Sequence, residues 1–221
     1  MKKYLALFLI AIMAVSVLSA AGVVTTQKAA AAPLQSSIVV VNYKPGATYR
    51  YAPWQFNQNF AGFFASSEGN ITHFETTSGG TAYSSIRTTQ TQAGVSYATV
   101  GMWWQLRLPK GATWNTVENM PCTVTVTVLY VIQAKGNQGT YAQARWGVNN
   151  GNETSSIVYG NNLHAKTATT TFHTTVGDVF SDGPYGGAYA EADTWQHPAG
   201  AGHASAVIVC SSIVLAFPQA K

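Results

Sequence analysis

Residues 122–132 read CTVTVTVLYVI, the most regular alternation of apolar and polar side chains in this chain of 221 residues. One face carries Cys122, Val124, Val126, Val128, Tyr130 and Ile132, and the other begins with Thr123, Thr125 and Thr127. Because side chains alternate between the two faces of a β-strand, this pattern predicts a strand with one buried face. We expect it to be central in a sheet.

Similar segments lie on both sides of this strand. Apolar or alternating runs separated by turn residues predict strands at residues 36–43, 70–77, 81–90, 95–108, 141–148, 155–159, 163–176, 188–195 and 203–217. The turn Ser78-Gly79-Gly80 pairs the second and third of these segments. The aromatic run at residues 49–64 has irregular spacing, which indicates side chains that cover the core and sheet edges; stacking on sugar rings is its functional alternative.

These segments and the lack of a helical period predict an all-β chain. Strands with turns every 8 to 15 residues are typical of a single β-sandwich of the jelly-roll or immunoglobulin/pilin-like type. An extended N-terminal tail precedes it.

The N-terminus has the pattern of a secretion signal. Lys2 and Lys3 precede an apolar run that ends in small residues. Cleavage after Ala21 fits, as does cleavage after Ala20 or within residues 29–32. We therefore expect residues 1–21 to be a signal peptide, residues 22–35 a tail and residues 36–221 the β-sandwich, in an extracellular protein without a membrane span after signal removal.

Charged residues make up only 9% of the chain, against about 25% in an ordinary soluble domain. Without Lys2 and Lys3, ten basic and eight acidic side chains remain, a net charge near +2. The chain has no basic run and no RNA-binding aromatic motif, so we expect no nucleic-acid partner. A surface of uncharged polar groups suits an acidic or otherwise harsh exterior.

The chain has two cysteines, Cys122 and Cys210. Disulfides persist in exported proteins, and neither cysteine has partners at metal-ligand spacing. The sequence therefore predicts a Cys122–Cys210 disulfide.

Catalytic and metal-binding patterns are weak. The five histidines have no ligand spacing, and no Gly-x-Ser-x-Gly motif occurs, so we expect no metal, no cofactor and no enzymatic activity. Glu191 and Asp193 share a strand face and could form a carboxylate pair. An alternative function is a secreted carbohydrate-binding or glycoside-hydrolysing β-sandwich that uses these two acids with Trp54, Trp103, Trp114 or Trp195.

Two sequences match the N-glycosylation pattern. They are Asn70-Ile71-Thr72 and Asn152-Glu153-Thr154, and Asn152 lies in a predicted turn. We expect both asparagines to be candidates for modification.

A secretion signal, a tail rich in Thr, Ala and Val, a Thr-rich β-sandwich with the expected long-range disulfide, and two sequons together resemble the thread pilin of thermoacidophilic archaea. That family is similar in architecture to bacterial type I pilins. The resemblance implies donor-strand complementation, in which the tail of one subunit adds a strand to the next. A head-to-tail contact of this kind does not close, and it builds a filament.

The resemblance assigns the donor strand to the first part of the tail, with residues 33–35 as a joint. The donor residues are Val23, Val24, Thr25, Thr26, Gln27, Lys28, Ala29, Ala30, Ala31 and Ala32. Identical subunits are then the partners, and adhesion to surface glycans or other cells, or biofilm formation, is the expected role. A cell-envelope protein remains a further alternative.

Overall fold

The computed structural model describes residues 38–56, 58–65, 71–76, 79–88, 94–136, 139–148, 152–181, 183–196 and 202–219. Of residues 58–65, 71–76 and 88 it describes the backbone alone. The described residues belong to one compact unit, Ala31–Lys221. The expected signal peptide, the expected donor strand and Asn70 lie outside the described residues.

Strands dominate the described part of the chain. They are β1 (Val39–Asn42), β2 (Thr48–Tyr51), β3 (Gln58–Ala65), β4 (Ile71–Thr76), β5 (Thr81–Thr88), β6 (Gly94–Arg107), β7 (Pro121–Gly136), β8 (Thr140–Val148), β9 (Glu153–Tyr159), β10 (Asn162–Thr175), β11 (Tyr185–Gln196) and β12 (Gly202–Ala216). One 3₁₀ turn, Pro53–Gln55, and two one-turn helices, α1 (Trp114–Val117) and α2 (Val176–Val179), lie between them.

The strands form two packed sheets. The front sheet has the order β1-β6-β11-β8-β9, and β3 also pairs with β6. The back sheet has the order β10-β7-β12-β5-β4, and β2 also pairs with β12. Pairing is antiparallel except between β1 and β6, which run parallel. The protein is therefore a β-sandwich, as the sequence predicts.

The strand that contains CTVTVTVLYVI is central, as expected. β7 lies between β10 and β12, and its burial alternates along its length, with Val124, Val126 and Val128 fully buried. Burying such a side chain stabilises a fold by about 1.5–3 kcal/mol. The opposite face of β7 carries threonines. One of them, Thr125, forms a 2.9 Å hydrogen bond with Thr171 of the neighbouring strand β10.

A β-bulge keeps the last strand apolar on its inner face. In β12, Cys210 lies opposite Val128, but Ser212 lies opposite the next residue, Thr127, so that Ser211 is extra. Because one added residue reverses the faces, Cys210 and Ile213 both point inward although three positions separate them. The apolar sequence of β12 requires this shift.

All ten predicted strands are present, with ends within four residues of the expected positions. β4 and β5 pair as predicted. The prediction missed β2 and β3, because the aromatic run that contains them has no period of two. The two helices, of four residues each, are too short to produce a helical period.

The predicted Cys122–Cys210 disulfide is wrong. Both cysteines are free and buried. They lie on neighbouring strands, but Cys210 is opposite Val128, six residues along β7 from Cys122. At about 3.3 Å per residue the two are roughly 20 Å apart, whereas a disulfide requires Cα atoms within about 7 Å. The sequence predicted the face on which Cys122 lies but could not give the register between the two strands.

Buried thiols should be unreactive until the protein unfolds. Burial raises the pKa of both cysteines to about 12, and the thiolate is the reactive form. We expect an aromatic disulfide reagent to detect no thiol in the native protein and two thiols in denaturant without reductant. A reduced sample in denaturant is the control. No thiol in the unreduced, denatured sample contradicts the structure.

Candidate functional site

The outer face of the front sheet carries an ion pair, a second carboxyl group and several aromatic rings. Strand register arranges its side chains in rows that cross the sheet. The first row is Val95, Trp195, Tyr141 and Tyr159; the second is Tyr97, Asp193, Gln143 and Ile157; the third is Thr99, Glu191, Arg145 and Ser155. Each row draws on β6, β11, β8 and β9, so four distant segments of sequence build one surface.

The third row contains an ion pair. Arg145 donates hydrogen bonds from Nε, at 3.0 Å, and from Nη2 to Oε1 of Glu191. Thr99 donates to Oε2 of the same carboxylate at 2.8 Å. Burial lowers the pKa of Arg145, but Glu191 outweighs it, and the net pKa is raised. Both carboxylate oxygens of Glu191 are therefore engaged.

Asp193, in the second row, differs from its neighbour. The residue is only 9% exposed, and its Oδ1 has no hydrogen-bond partner among the described residues. Burial is the largest cause that raises the pKa of Asp193, to about 6, and the charge of Glu191 adds to it; Arg145 and the backbone N–H of Thr194 oppose the shift. The structure thus holds a carboxyl group that has one unpartnered oxygen and is costly to ionise.

A hollow of about 170 Å³ lies beside these groups. Its lining consists of Val95, Tyr97, Arg145, Glu191 and Asp193. At about 30 Å³ per water molecule, it has room for roughly six waters. A hollow of this size suits one small ring rather than a chain of several.

The first row bounds the site with aromatic rings. Trp195 and Tyr141 stack at 6.2 Å with an angle of 6° between their planes. Tyr141 also contacts Tyr159, whose ring is half exposed, at 5.7 Å. The rings thus form an aromatic row across β11, β8 and β9.

The structure brings together some of the residues singled out in the sequence. Glu191, Asp193 and Trp195 share this face, and Trp103 lies on the same face further along β6. Trp54 lies in the 3₁₀ turn and Trp114 in α1, so neither belongs to these rows. Sequence reasoning missed Arg145, Tyr97 and Tyr141. The alternation of β8 places Tyr141 and Arg145 on one face, but only strand order shows that this face adjoins Glu191.

Asn152 immediately precedes β9. Its Nδ2 donates to Oγ1 of Thr174 at 3.2 Å, and the residue is partly buried. A glycan replaces one of the two hydrogens on Nδ2, which leaves a single N–H to donate to Thr174. Glycosylation of Asn152 stays a prediction.

The described residues hold no group of three or more His, Cys, Asp or Glu that could bind a metal ion. His164 bonds to Ser156 instead, at 2.9 Å. No helix in the described ranges has the length and apolar character needed to cross a membrane.

The sheet edges form a second feature of interest. Two strands, β3 and β1, pair one after the other with the same edge of β6. Gln58 of β3 lies opposite Gly101, and Val39 of β1 lies opposite Trp104. Only Met102 and Trp103 lie between them. At the other side of the sandwich, β10 pairs with β7 over all 14 of its residues without a register shift, and among the described strands it has no second partner.

Comparisons with known proteins assign neither a family nor a function to this chain. No protein-family model and no curated protein matches the sequence. Among solved structures, a carbohydrate-binding module in complex with β-1,4-galactotriose is 8% identical at a TM-score of 0.24, over 66% of this chain and 88% of that one. A family 11 carbohydrate-binding module from Clostridium thermocellum is 13% identical at a TM-score of 0.27, over 73% and 91%.

A xylan-binding domain from Paenibacillus barcinonensis is 10% identical at a TM-score of 0.24, over 80% of this chain and 99% of that one. Similarities of this size carry no inference about ligand or function. The site therefore has to be interpreted from its own geometry.

Proposed function

We propose that this protein is the structural, non-enzymatic subunit of an extracellular filament. In this proposal residues 23–32 of one subunit add as a strand to the sheet of the next. Secretion signal, tail composition and the resemblance to archaeal thread pilins motivate it. Adhesion to other cells or surface glycans, or biofilm formation, is the expected role of the filament.

The observation that carries the proposal is the crowded edge of β6. Since β1 runs parallel to β6 and begins opposite Trp104, a strand that continued upstream of Val39 would pair with Trp103 and Met102 and then meet β3 at Gly101. The chain before Val39 can therefore extend β1 along β6 by about two residues. The tail has β-forming residues, but beyond these two positions the edge of β6 is already occupied by β3.

The long free edge of β10 is the candidate acceptor for a strand from another subunit. Proteins protect exposed edge strands with charges, prolines, bulges or short length, because an open edge pairs with other chains. β10 has 14 residues, no proline and no bulge, and Lys166 is its only lysine, arginine or acidic residue. A ten-residue donor spans about 33 Å, which an edge of this length accommodates.

The hydrolase alternative has less support from the geometry. A glycosidase needs two carboxyl groups available to the scissile bond. Both oxygens of Glu191 are held by Arg145 and Thr99, which leaves Asp193 alone. A binding site without hydrolysis remains compatible with a filament subunit.

Deleting residues 23–32 from the mature protein is expected to abolish polymerisation, because it removes the added strand. Electron microscopy and sedimentation should show monomers, and a synthetic peptide of residues 23–32 should bind the truncated subunit. N-terminal sequencing of the exported protein establishes beforehand that these residues are retained.

The matched control keeps the tail length but replaces residues 23–32 by a Gly/Ser sequence, which has low β propensity. This variant should also remain monomeric if the tail acts as a strand, and should polymerise if the tail is only a spacer. Filament formation by either variant would falsify strand donation by these residues.

A further inference from the structure

We propose that the hollow on the outer face of the front sheet binds a neutral sugar ring, through the carboxyl group of Asp193 and the guanidinium of Arg145. This site is independent of strand donation. It concerns the face of the sheet, whereas polymerisation as proposed above uses edges.

The first argument is the state of Asp193. Asp193 is a buried residue, 9% exposed, it lines the hollow, and its Oδ1 has no hydrogen-bond partner among the described residues. A buried polar group without a partner destabilises the protein, and more so when it is charged. A ligand hydroxyl that donates to this carboxyl group removes part of that cost.

The second argument is the mixture of donors and acceptors. Nε and Nη2 of Arg145 are committed to Glu191, and no described residue bonds to Nη1, which is left to donate. The carboxyl group of Asp193 lines the same hollow and can accept, and Val95 offers an apolar surface. Sugar rings present hydroxyl groups that both donate and accept, together with apolar C–H faces, so all three features find a counterpart.

The charged groups that line the hollow are unfavourable for an anion and place a guanidinium beside any cation. An anion entering the hollow meets two carboxyl groups, Glu191 and Asp193. A cation meets the guanidinium of Arg145, and the described residues provide no third acidic ligand for a metal. Arg145 and Glu191 offset each other, and the ionised Asp193 leaves the hollow with one negative charge at pH 7, which repels anions and attracts groups that donate hydrogen bonds. A sugar supplies such donors as hydroxyl groups, and the titration with methylammonium separates it from a cation.

The aromatic row provides the edge of the site. Trp195 is the cross-strand partner of Val95, a lining residue, and lies two residues from Asp193 on the same face. Its stack with Tyr141 and the contact of Tyr141 with Tyr159 continue the apolar surface beyond the hollow. Further rings of an oligosaccharide can lie along this row.

The test is titration of the full mature protein with glucose, galactose, mannose, xylose and N-acetylglucosamine, by calorimetry and by saturation-transfer NMR. Methylammonium is titrated in parallel as a small cation that can donate hydrogen bonds to the same carboxyl group. We expect saturable binding of at least one sugar and none of methylammonium. Asp193→Asn should weaken sugar binding about tenfold or more, because a hydrogen bond to a charged group is lost.

Glu153→Gln is the matched control. Glu153 is an exposed acid on the same face, bonded to Tyr189 at 2.5 Å and absent from the lining of the hollow, so its substitution should leave sugar affinity unchanged. Three results overturn the inference: no sugar binds, only methylammonium binds, or Asp193→Asn binds sugar as tightly as the unmodified protein. Each of them leaves strand donation untouched, since the tail deletion tests that separately.

Discussion

Replacing Asp193 by asparagine is expected to stabilise the protein at pH 7 by up to about 3 kcal/mol. Asparagine has nearly the shape of the protonated acid and carries no charge to desolvate. The pKa of Asp193 is raised from 3.8 to about 6, and each unit of difference between the folded and unfolded chains corresponds to about 1.4 kcal/mol. Denaturant unfolding of both proteins at pH 7 measures the gain.

The same pKa shift fixes the direction of the pH dependence. Because the folded protein binds this proton more tightly than the unfolded chain, the contribution of Asp193 to stability falls as pH rises from about 4 to about 6, and it stays low above pH 6. The unmodified protein should therefore gain stability between pH 7 and pH 4. In Asp193→Asn this gain should disappear.

Four charged or titratable groups face Asp193: Glu191 on its own strand, Arg145 and Tyr141 on β8, and Tyr97, its cross-strand neighbour on β6. Asp178 titrates elsewhere, and its pKa is lowered by hydrogen bonds from Thr175 and Thr174, so its contribution is lost only as pH falls below about 4. Glu153→Gln again serves as the control and should retain the gain on acidification. An unchanged pH profile in Asp193→Asn contradicts the assignment.

A stability gain of this size has a functional meaning. Residues that destabilise a fold and can be replaced without strain are often retained for function. If Asp193→Asn is more stable and also loses sugar affinity, the two results together identify a binding residue. Because the variant is expected to fold at least as well as the unmodified protein, lost binding cannot be attributed to unfolding.

Replacing Trp104 by alanine is expected to destabilise the protein by about 4 kcal/mol. Trp104 is fully buried between the sheets, with Tyr51 at 5.9 Å and Phe180 at 6.2 Å between ring centroids. Removing a large buried side chain costs its transfer free energy and leaves a cavity that the neighbours fill only in part. Thermal unfolding should show a decrease of about 10 °C in the melting temperature.

Trp104→Phe provides the matched comparison. Nε1 of Trp104 makes no hydrogen bond of good geometry among the described residues, although the hydroxyl of Tyr51 lies near it, so phenylalanine removes a poorly satisfied donor and retains most of the ring. We expect a loss of about 1 kcal/mol, well below that of the alanine variant. Equal losses in both variants would show that Nε1 has a partner that matters for stability.

The local elements could be predicted from the sequence because each rests on a pattern within a few residues. Alternation over residues 122–132 predicted the central strand, and the burial of Val124, Val126 and Val128 confirms it. Gly79-Gly80 predicted the turn between β4 and β5. Alternation in residues 188–195 also predicted that Glu191 and Asp193 share a face.

The relations between distant segments could not be predicted in this way. The disulfide failed because period two gives the face of Cys122 but not the six-residue offset between it and Cys210. β3 was missed because its only strand partner, β6, begins 29 residues after it ends and its own sequence lacks alternation. Register and strand order depend on how whole sheets pack.

The sequence by itself thus determined an all-β chain, the faces of its strands and a tail with β-forming residues. Only the tertiary structure decided that Arg145 of β8 neutralises Glu191 of β11, that Asp193 keeps one unpartnered oxygen beside a hollow, and that β3 blocks the continuation of β1 along β6. The physical reason is the range of the interactions. Alternation is set by neighbours two residues apart, whereas charge pairing, desolvation and edge occupancy are set by strands that meet only when both sheets have formed.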